Sequence, residues 1–288
     1  MSEIRFPADF KWGTATAAYQ IEGYPLADGA SPSIWHQFSH TPGKIRNNEN
    51  GDIACDHYHR YEEDLENIKK LGLNAYRYSI SWPRIVPEPG KVNQKGLDFY
   101  RRLTDLLLEK GITPLITLFH WDTPAWLQEK GGFAKRTVID HIHFYSEVLF
   151  REFGDRVKNW VTINEPFVYA VDGYVLGDMP PGHKNDLKNM FRVSHFLLLS
   201  HANIVKSFRN EVKNGKIGIA QAQIWITPFR PNNENDQKAA EVMDSIINRL
   251  YLDPLIFGRY PKSIEKRITR FLPKGYEYDL TSMAEPFD

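Results

Sequence analysis

The chain has 288 residues, enough to bury a large core and within the size range in which an α/β barrel folds as one domain. Lysine plus arginine and aspartate plus glutamate are each 36, so the formal net charge is zero, which argues against nucleic acid or an anionic membrane surface as the main partner. A single cysteine, Cys55, excludes an intramolecular disulfide, and no stretch reads as a signal peptide or a membrane span, so a reducing, cytoplasmic setting is expected.

In chain order, strand and helix signals alternate. Residues 10–21 carry the first strand signal, rich in small residues as a crowded interior requires and ending at Gln20. A loop rich in Gly, Pro, Asn and Ser follows to about residue 52, and loops of that length are usually functional. Tyr58, Tyr61, Leu65, Ile68 and Leu71 recur at helical spacing, predicting a helix over 55–71 that Gly72 stops. A second strand over 75–82 ends at Pro83, with Arg77, Ser79 and Ser81 alternating onto one face. An inward arginine there needs an anionic partner; otherwise it leans out to solvent. Next come a helix over 94–110, a third strand over 113–119 that ends in His120-Trp121-Asp122, and a helix over 137–153.

The fourth strand is the stretch Trp160-Val161-Thr162-Ile163-Asn164-Glu165-Pro166. Its apolar and β-branched start favours a strand. Pro166 stops it and is expected to hold Glu165 in extended geometry, at the strand's carboxyl end and aimed outward. Trp160, Phe167 and Tyr169 would wall that carboxylate with apolar surface and disfavour its charged form, as suits a general acid. The local alternative is a solvated carboxylate capping the next helix. A helix over 188–212, a fifth strand over 216–226 broken by Pro228, a helix over 236–252 and a short basic helix over 263–272 follow, while 281–288 carries no element of its own.

Strand–helix alternation repeated five times predicts a parallel sheet covered by helices. No Gly-rich phosphate loop of the dinucleotide or P-loop kind is present, so nucleotide-binding folds lose support. The polar oddities Gln20, Pro83-Arg84, His120-Trp121 and Asn164-Glu165 all fall at carboxyl ends of strands, where (β/α)8 barrels keep their chemistry. The pairs His57/His59 and His141/His143 point to different helix faces and chelate poorly, so no metal and no cofactor are expected. Trp82, Trp160 and Trp225 read as core, Trp126 as core or sugar platform, Cys55 as core or helix start, and Lys266, Arg267 and Arg270 as a solvated face.

An ordered set of motifs then resembles the glycoside hydrolase family 1 β-glycosidases, the β-glucosidases and their relatives. They are Phe10-Lys11-Trp12-Gly13 with Tyr19-Gln20-Ile21-Glu22-Gly23; Pro32-Ser33-Ile34-Trp35; His57-Tyr58-His59-Arg60-Tyr61; the run from Tyr76 to Arg84; Thr117-Leu118-Phe119-His120-Trp121-Asp122; and Thr162-Ile163-Asn164-Glu165-Pro166. The resemblance implies a (β/α)8 TIM barrel of which 1–288 supplies about five of eight units as one incomplete domain. It implies retaining hydrolysis of a β-linked glycoside, with Glu165 as acid/base and Asn164 binding the sugar 2-hydroxyl. Gln20, His120 and Trp121 would hold the non-reducing-end sugar, and Arg77 would stand beside the nucleophile. Amide side chains offer the donors and acceptors that hydroxyls need.

Retaining glycosidases use two carboxylates roughly 5–5.5 Å apart. The resemblance puts the nucleophile in a Thr-Glu-Asn-Gly motif at the end of strand seven, and only five strands are read here. Glu49-Asn50-Gly51 lies in a polar loop without a leading strand and reads as a turn, and Gln221, Ala222 and Gln223 stand where many relatives carry a Leu-Asn pair. The nucleophile is therefore expected in a C-terminal segment outside these residues. The expected partners are a β-glycoside and either that complementing segment or further copies of the chain, joined through the open edges of strands one and five. The alternative is a sugar-binding or structural barrel fragment without catalysis.

Overall fold

Five parallel strands, hydrogen-bonded in the order in which they occur along the chain, form the frame of the computed structural model, which describes residues 5–288. They are β1 (Gly13–Ala15), β2 (Ala75–Ser79), β3 (Thr113–Phe119), β4 (Asn159–Asn164) and β5 (Lys216–Ala220). The helices are α1 (Ala18–Ile21), α2 (Ile34–Ser39), α3 (His57–Lys70), α4 (Trp82–Ile85), α5 (Gln94–Glu109), α6 (Ala125–Gln128), α7 (Val138–Phe153), α8 (Pro166–Val171), α9 (Leu187–Glu211), α10 (Glu234–Asp244), α11 (Leu250–Phe257), α12 (Lys262–Ile268) and α13 (Tyr276–Met283). A sequential parallel sheet with crossover helices is the (β/α)8 arrangement in part, with five units present, as the sequence predicts.

Burial explains the frame. Ile116, Leu118 and Phe119 of β3 are fully buried, and α5, α7 and α9 lay leucine, phenylalanine and tyrosine faces over the strands. Polar pins fix helix to sheet. The Tyr145 hydroxyl of α7 lies 2.8 and 2.9 Å from the carbonyl oxygens of Ile80 and Leu118. Thr162 of β4 meets the buried His201 of α9 at 2.8 Å. Trp82 and Trp160 are core, and Trp126, half-buried against it, lies edge-on to His141.

Several expectations need correction. β1 spans three residues rather than the predicted run, and Gln20 sits exposed on the helical turn α1 instead of ending a strand. β2 stops at Ser79, because the chain turns at Ser81 into α4, whose first turn accepts Pro83. β5 stops at Ala220. The stretch 221–228 has no regular structure, which leaves Trp225 90% exposed rather than in the core. Cys55 is exposed just before α3, so the helix-start reading holds and the core reading does not. Residues 276–283 form α13, held by buried Leu280 and Met283 and by Asp279, which accepts from Arg136 and meets His195. The β5 edge is also partly occupied. The Asp288 amide donates to the Ile217 carbonyl at 2.9 Å, the Ile217 amide donates to the Asp288 carboxylate at 2.9 Å, and Arg209 binds that carboxylate.

Candidate active site

Three strands deliver their side chains to one place. Asn164, the last residue of β4, is buried, and its Oδ1 accepts from an Arg77 Nη of β2 at 2.6 Å. Its Nδ2 lies 3.2 Å from His120 Nε2, just past β3, and its backbone carbonyl accepts from Trp121 Nε1 at 2.7 Å. For the Asn164 amide to donate, His120 must present an unprotonated Nε2. Burial, helped by the Arg77 charge, pushes the His120 pKa down to about 4 and so keeps the ring neutral, which permits that tautomer. His120 Nδ1 is buried without a hydrogen-bond partner among the described groups.

Arg77 does point inward, and its Nε donates to Thr117 Oγ1 at 2.9 Å. Its hydrogen-bond partners are thus neutral, not the anion that an inward arginine leads one to expect. Burial lowers its pKa, and the Glu165 carboxylate opposes that shift through its charge.

Glu165 departs from expectation in its backbone. It adopts φ 45°, ψ 64°, the left-handed region, rather than the extended geometry read from Pro166. The reason is that the residue serves two elements. Its amide still donates across the sheet to the Ala220 carbonyl at 2.8 Å, while its own carbonyl accepts from Tyr169 in the first turn of α8. The chain must reverse at this single residue. Trp121 does the same after β3, with φ 74°. Such conformations cost on the order of 1–3 kcal/mol each and persist only where surrounding structure imposes them. The Glu165 side chain makes no capping hydrogen bond to α8, so the capping alternative finds no support.

Gln20, His120 and Trp121 line a cavity of about 480 Å³ together with Tyr19, Trp35 and Glu49. The Tyr19 and Trp35 rings stack with centroids 6.1 Å apart. Glu49 follows a one-turn helix at 46–48 and is exposed, which agrees with the turn reading, yet it stands in the wall of this same cavity. Tyr19 and Trp35 entered the sequence reading only within the resemblance motifs and were given no site role, whereas the long loop to about residue 52 was read as functional from its length. Beneath α1, the buried Glu22 accepts from Arg84 Nε at 3.3 Å and from the Tyr100 hydroxyl, fixing the turn that carries Gln20. Gln221 turns its amide to the Tyr251 carbonyl at 3.2 Å. The positions His57 and His59 are engaged by Asp64 and Asp56 respectively.

Polar side chains gathered at the carboxyl ends of consecutive parallel strands define the site of a (β/α)8-barrel protein. The family model of Glycosyl hydrolase family 1 matches residues 2–288, and the chain belongs to that family. It is 52% identical over 290 residues to β-glucosidase A of Thermotoga maritima, an alignment that takes in 100% of this chain and 65% of that protein. It is 52% identical over 286 residues to a 1,4-β-D-glucan glucohydrolase of Thermotoga neapolitana, covering 99% of this chain and 67% of that protein. Among solved structures, a Thermotoga maritima β-glucosidase in complex with deoxynojirimycin superposes with a TM-score of 0.95 at 53% identity, over 98% of this chain and 64% of that one. The chain therefore spans about two thirds of the length of the relatives it matches.

Proposed function

We propose that this chain carries the acid/base half of a retaining β-glycosidase acting on β-glucosides. The observation that carries the reading is Glu165, held in a left-handed turn at the end of β4, beside the Arg77–Asn164–His120 network and free of any capping bond. In the first step the glycosidic C–O bond breaks, Glu165 gives its proton to the leaving oxygen, and a carboxylate nucleophile bonds to the anomeric carbon. In the second, water attacks that carbon, its proton passes to Glu165, and the nucleophile leaves. Asn164 binds the sugar 2-hydroxyl; Gln20, His120 and Trp121 hold the non-reducing-end sugar; Arg77 stands beside the nucleophile. The nucleophile comes from residues outside these 288, supplied by a complementing C-terminal segment. A cytoplasmic location belongs to the same reading.

General acid–base catalysis is typically worth about 10²–10⁴-fold. With the complementing segment present, Glu165→Ala lowers turnover of substrates with poor leaving groups by that order, spares good leaving groups in the first step, and is partly rescued by azide in the second. Equal loss on every substrate with no rescue would sink the assignment. A second reading, a sugar-binding fragment without catalysis, is favoured for the chain alone by the five-stranded frame. The expected outcome is no turnover of an aryl β-glucoside by the 288-residue chain. Turnover abolished by Glu49→Gln would instead make the cavity-wall Glu49 the nucleophile.

A further inference from the structure

We propose that His36, His40 and Asp52 form a binding site for a divalent transition-metal cation of the Zn²⁺ type, which ties α2 to the loop walling the 480 Å³ cavity. The proposal does not depend on the glycosidase reading. His36 and His40 stand four residues apart, within and at the end of α2, and therefore on one face. Asp52 comes back to them from the far end of the loop. One ligand-capable atom from each of the three lies within 4.8 Å of the others.

The spacing suits a small cation. His40 Nε2 is 3.0 Å from Asp52 Oδ2, and His36 Nδ1 is 3.6 Å from Asp52 Oδ1. A tetrahedral ion with bonds of about 2.0–2.2 Å separates its ligand atoms by roughly 3.3–3.6 Å, close to these two distances, which run to different oxygens of Asp52. Hydrogen bonding also leaves the cluster short of a positive charge. His40 Nδ1 lies 2.7 Å from the His36 carbonyl oxygen and can only donate there, so in a neutral ring Nε2 is a lone pair facing a carboxylate oxygen. A proton on Nε2 answers that pair alone. It leaves His36 Nδ1 and Asp52 Oδ1, buried atoms 3.6 Å apart, without a hydrogen bond. A metal ion satisfies all three side chains, and a carbonyl on the far nitrogen of a ligating imidazole is the outer arrangement that fixes its tautomer.

Two imidazoles and one carboxylate select zinc-like ions over magnesium or calcium. His40 and Asp52 are partly exposed, which provides an entry path and leaves a coordination position for water. The site couples to the cavity wall through short links. The Asp52 backbone carbonyl accepts from the Tyr24 amide at 2.7 Å and the Asp52 amide donates to the Asn50 side chain, whereas Ser39, next to His40, shares a 2.8 Å hydrogen bond with the Tyr19 hydroxyl.

The test is a Co²⁺ titration of the chelator-treated 288-residue chain, followed by visible absorption. One equivalent is expected to give a saturable tetrahedral-type band that Zn²⁺ displaces. The band is lost in His36→Gln and in Asp52→Asn, each checked for unchanged far-ultraviolet circular dichroism. In the unaltered chain, Zn²⁺ shifts the imidazole NMR signals of His36 and His40 and leaves those of His141 and His143 in place. Three results would overturn the proposal: no saturable band, a band that survives both substitutions, or Zn²⁺ shifts confined to other histidines. In the first case, with His36 and His40 unmoved by Zn²⁺, a proton is the occupant and the cluster is an ion pair.

Discussion

Asn164 commits both ends of its side-chain amide to the protein, its oxygen to Arg77 and its nitrogen to His120, so its orientation is fixed before any ligand arrives. Asn164→Asp would put an anion against His120; the His120 titration, followed by NMR, is expected to move up from about 4. Buried titrating groups also set how stability depends on pH. His120 and His201 are both held well below 6.5 by burial, His201 down to about 3. The unfolded chain therefore takes up more protons as pH falls through 6.5, and their contribution is lost on acidification toward their folded values. Asp122 acts with the opposite sign. Burial pushes it up to about 7 from 3.8, so the folded chain binds the extra proton between those values and stability rises as pH falls across that window. His201→Gln is expected to flatten the loss of stability between pH 7 and 5, and Asp122→Asn to steepen it, each by up to about 1.4 kcal/mol per pH unit. Urea midpoints at the two pH values check both signs.

At the scale of elements, the Glu22–Arg84–Tyr100 cluster joins α1, α4 and α5 with almost no exposure of the ion pair. Arg84 also lies over the Tyr58 ring, 4.3 Å from its centroid. Removing one partner strands a buried charge, so Arg84→Met is expected to cost about 3–5 kcal/mol, read as a lower urea midpoint with an unchanged slope. Helices α3, α5, α7 and α9 were legible because their apolar spacing runs for several turns and Gly72, Gly111 and Gly154 mark three of their ends. Strand ends were not, because one residue decides them. Glu165 turns left-handed where the proline rule points to extended chain, and Trp121 does so just past β3. β5 stops before its apolar run does, and α13 forms because Asp279, Leu280 and Met283 find partners distant in sequence. Within the site, the strand-end positions of Asn164, Glu165 and His120 were readable from the sequence, and the roles proposed for them come from the resemblance. The convergence of His36 and His40 on Asp52 needed the loop to close, which no local pattern reports.

At the scale of the whole molecule, the open sheet is the dominant feature. β1 is exposed along its length, with Phe6, Phe10 and Trp12 clustered beside it at ring distances of 4.7 Å. Beyond β5, Ile224, Trp225 and Phe229 are exposed as well. Apolar surface of this kind favours association. The chain alone is expected to self-associate or to pair with a complementing segment at micromolar concentration; the Ile217 amide, bound to Asp288, should exchange slowly with solvent while amides of β1 exchange fast. A single monomeric species by sedimentation, with β1 protected, would contradict this. The strand order carries a further consequence, for synthesis. Each strand's neighbour is the one made just before it, and paired positions such as Gly13 with Ala75, Ala75 with Thr113 and Asn159 with Lys216 lie 62, 38 and 57 residues apart by subtraction. At roughly 5–20 residues per second, a ribosome presents each new strand to a waiting edge every few seconds, so the sheet can be laid down in the order it is translated and the polar corner around Asn164 can close while later residues are still being added.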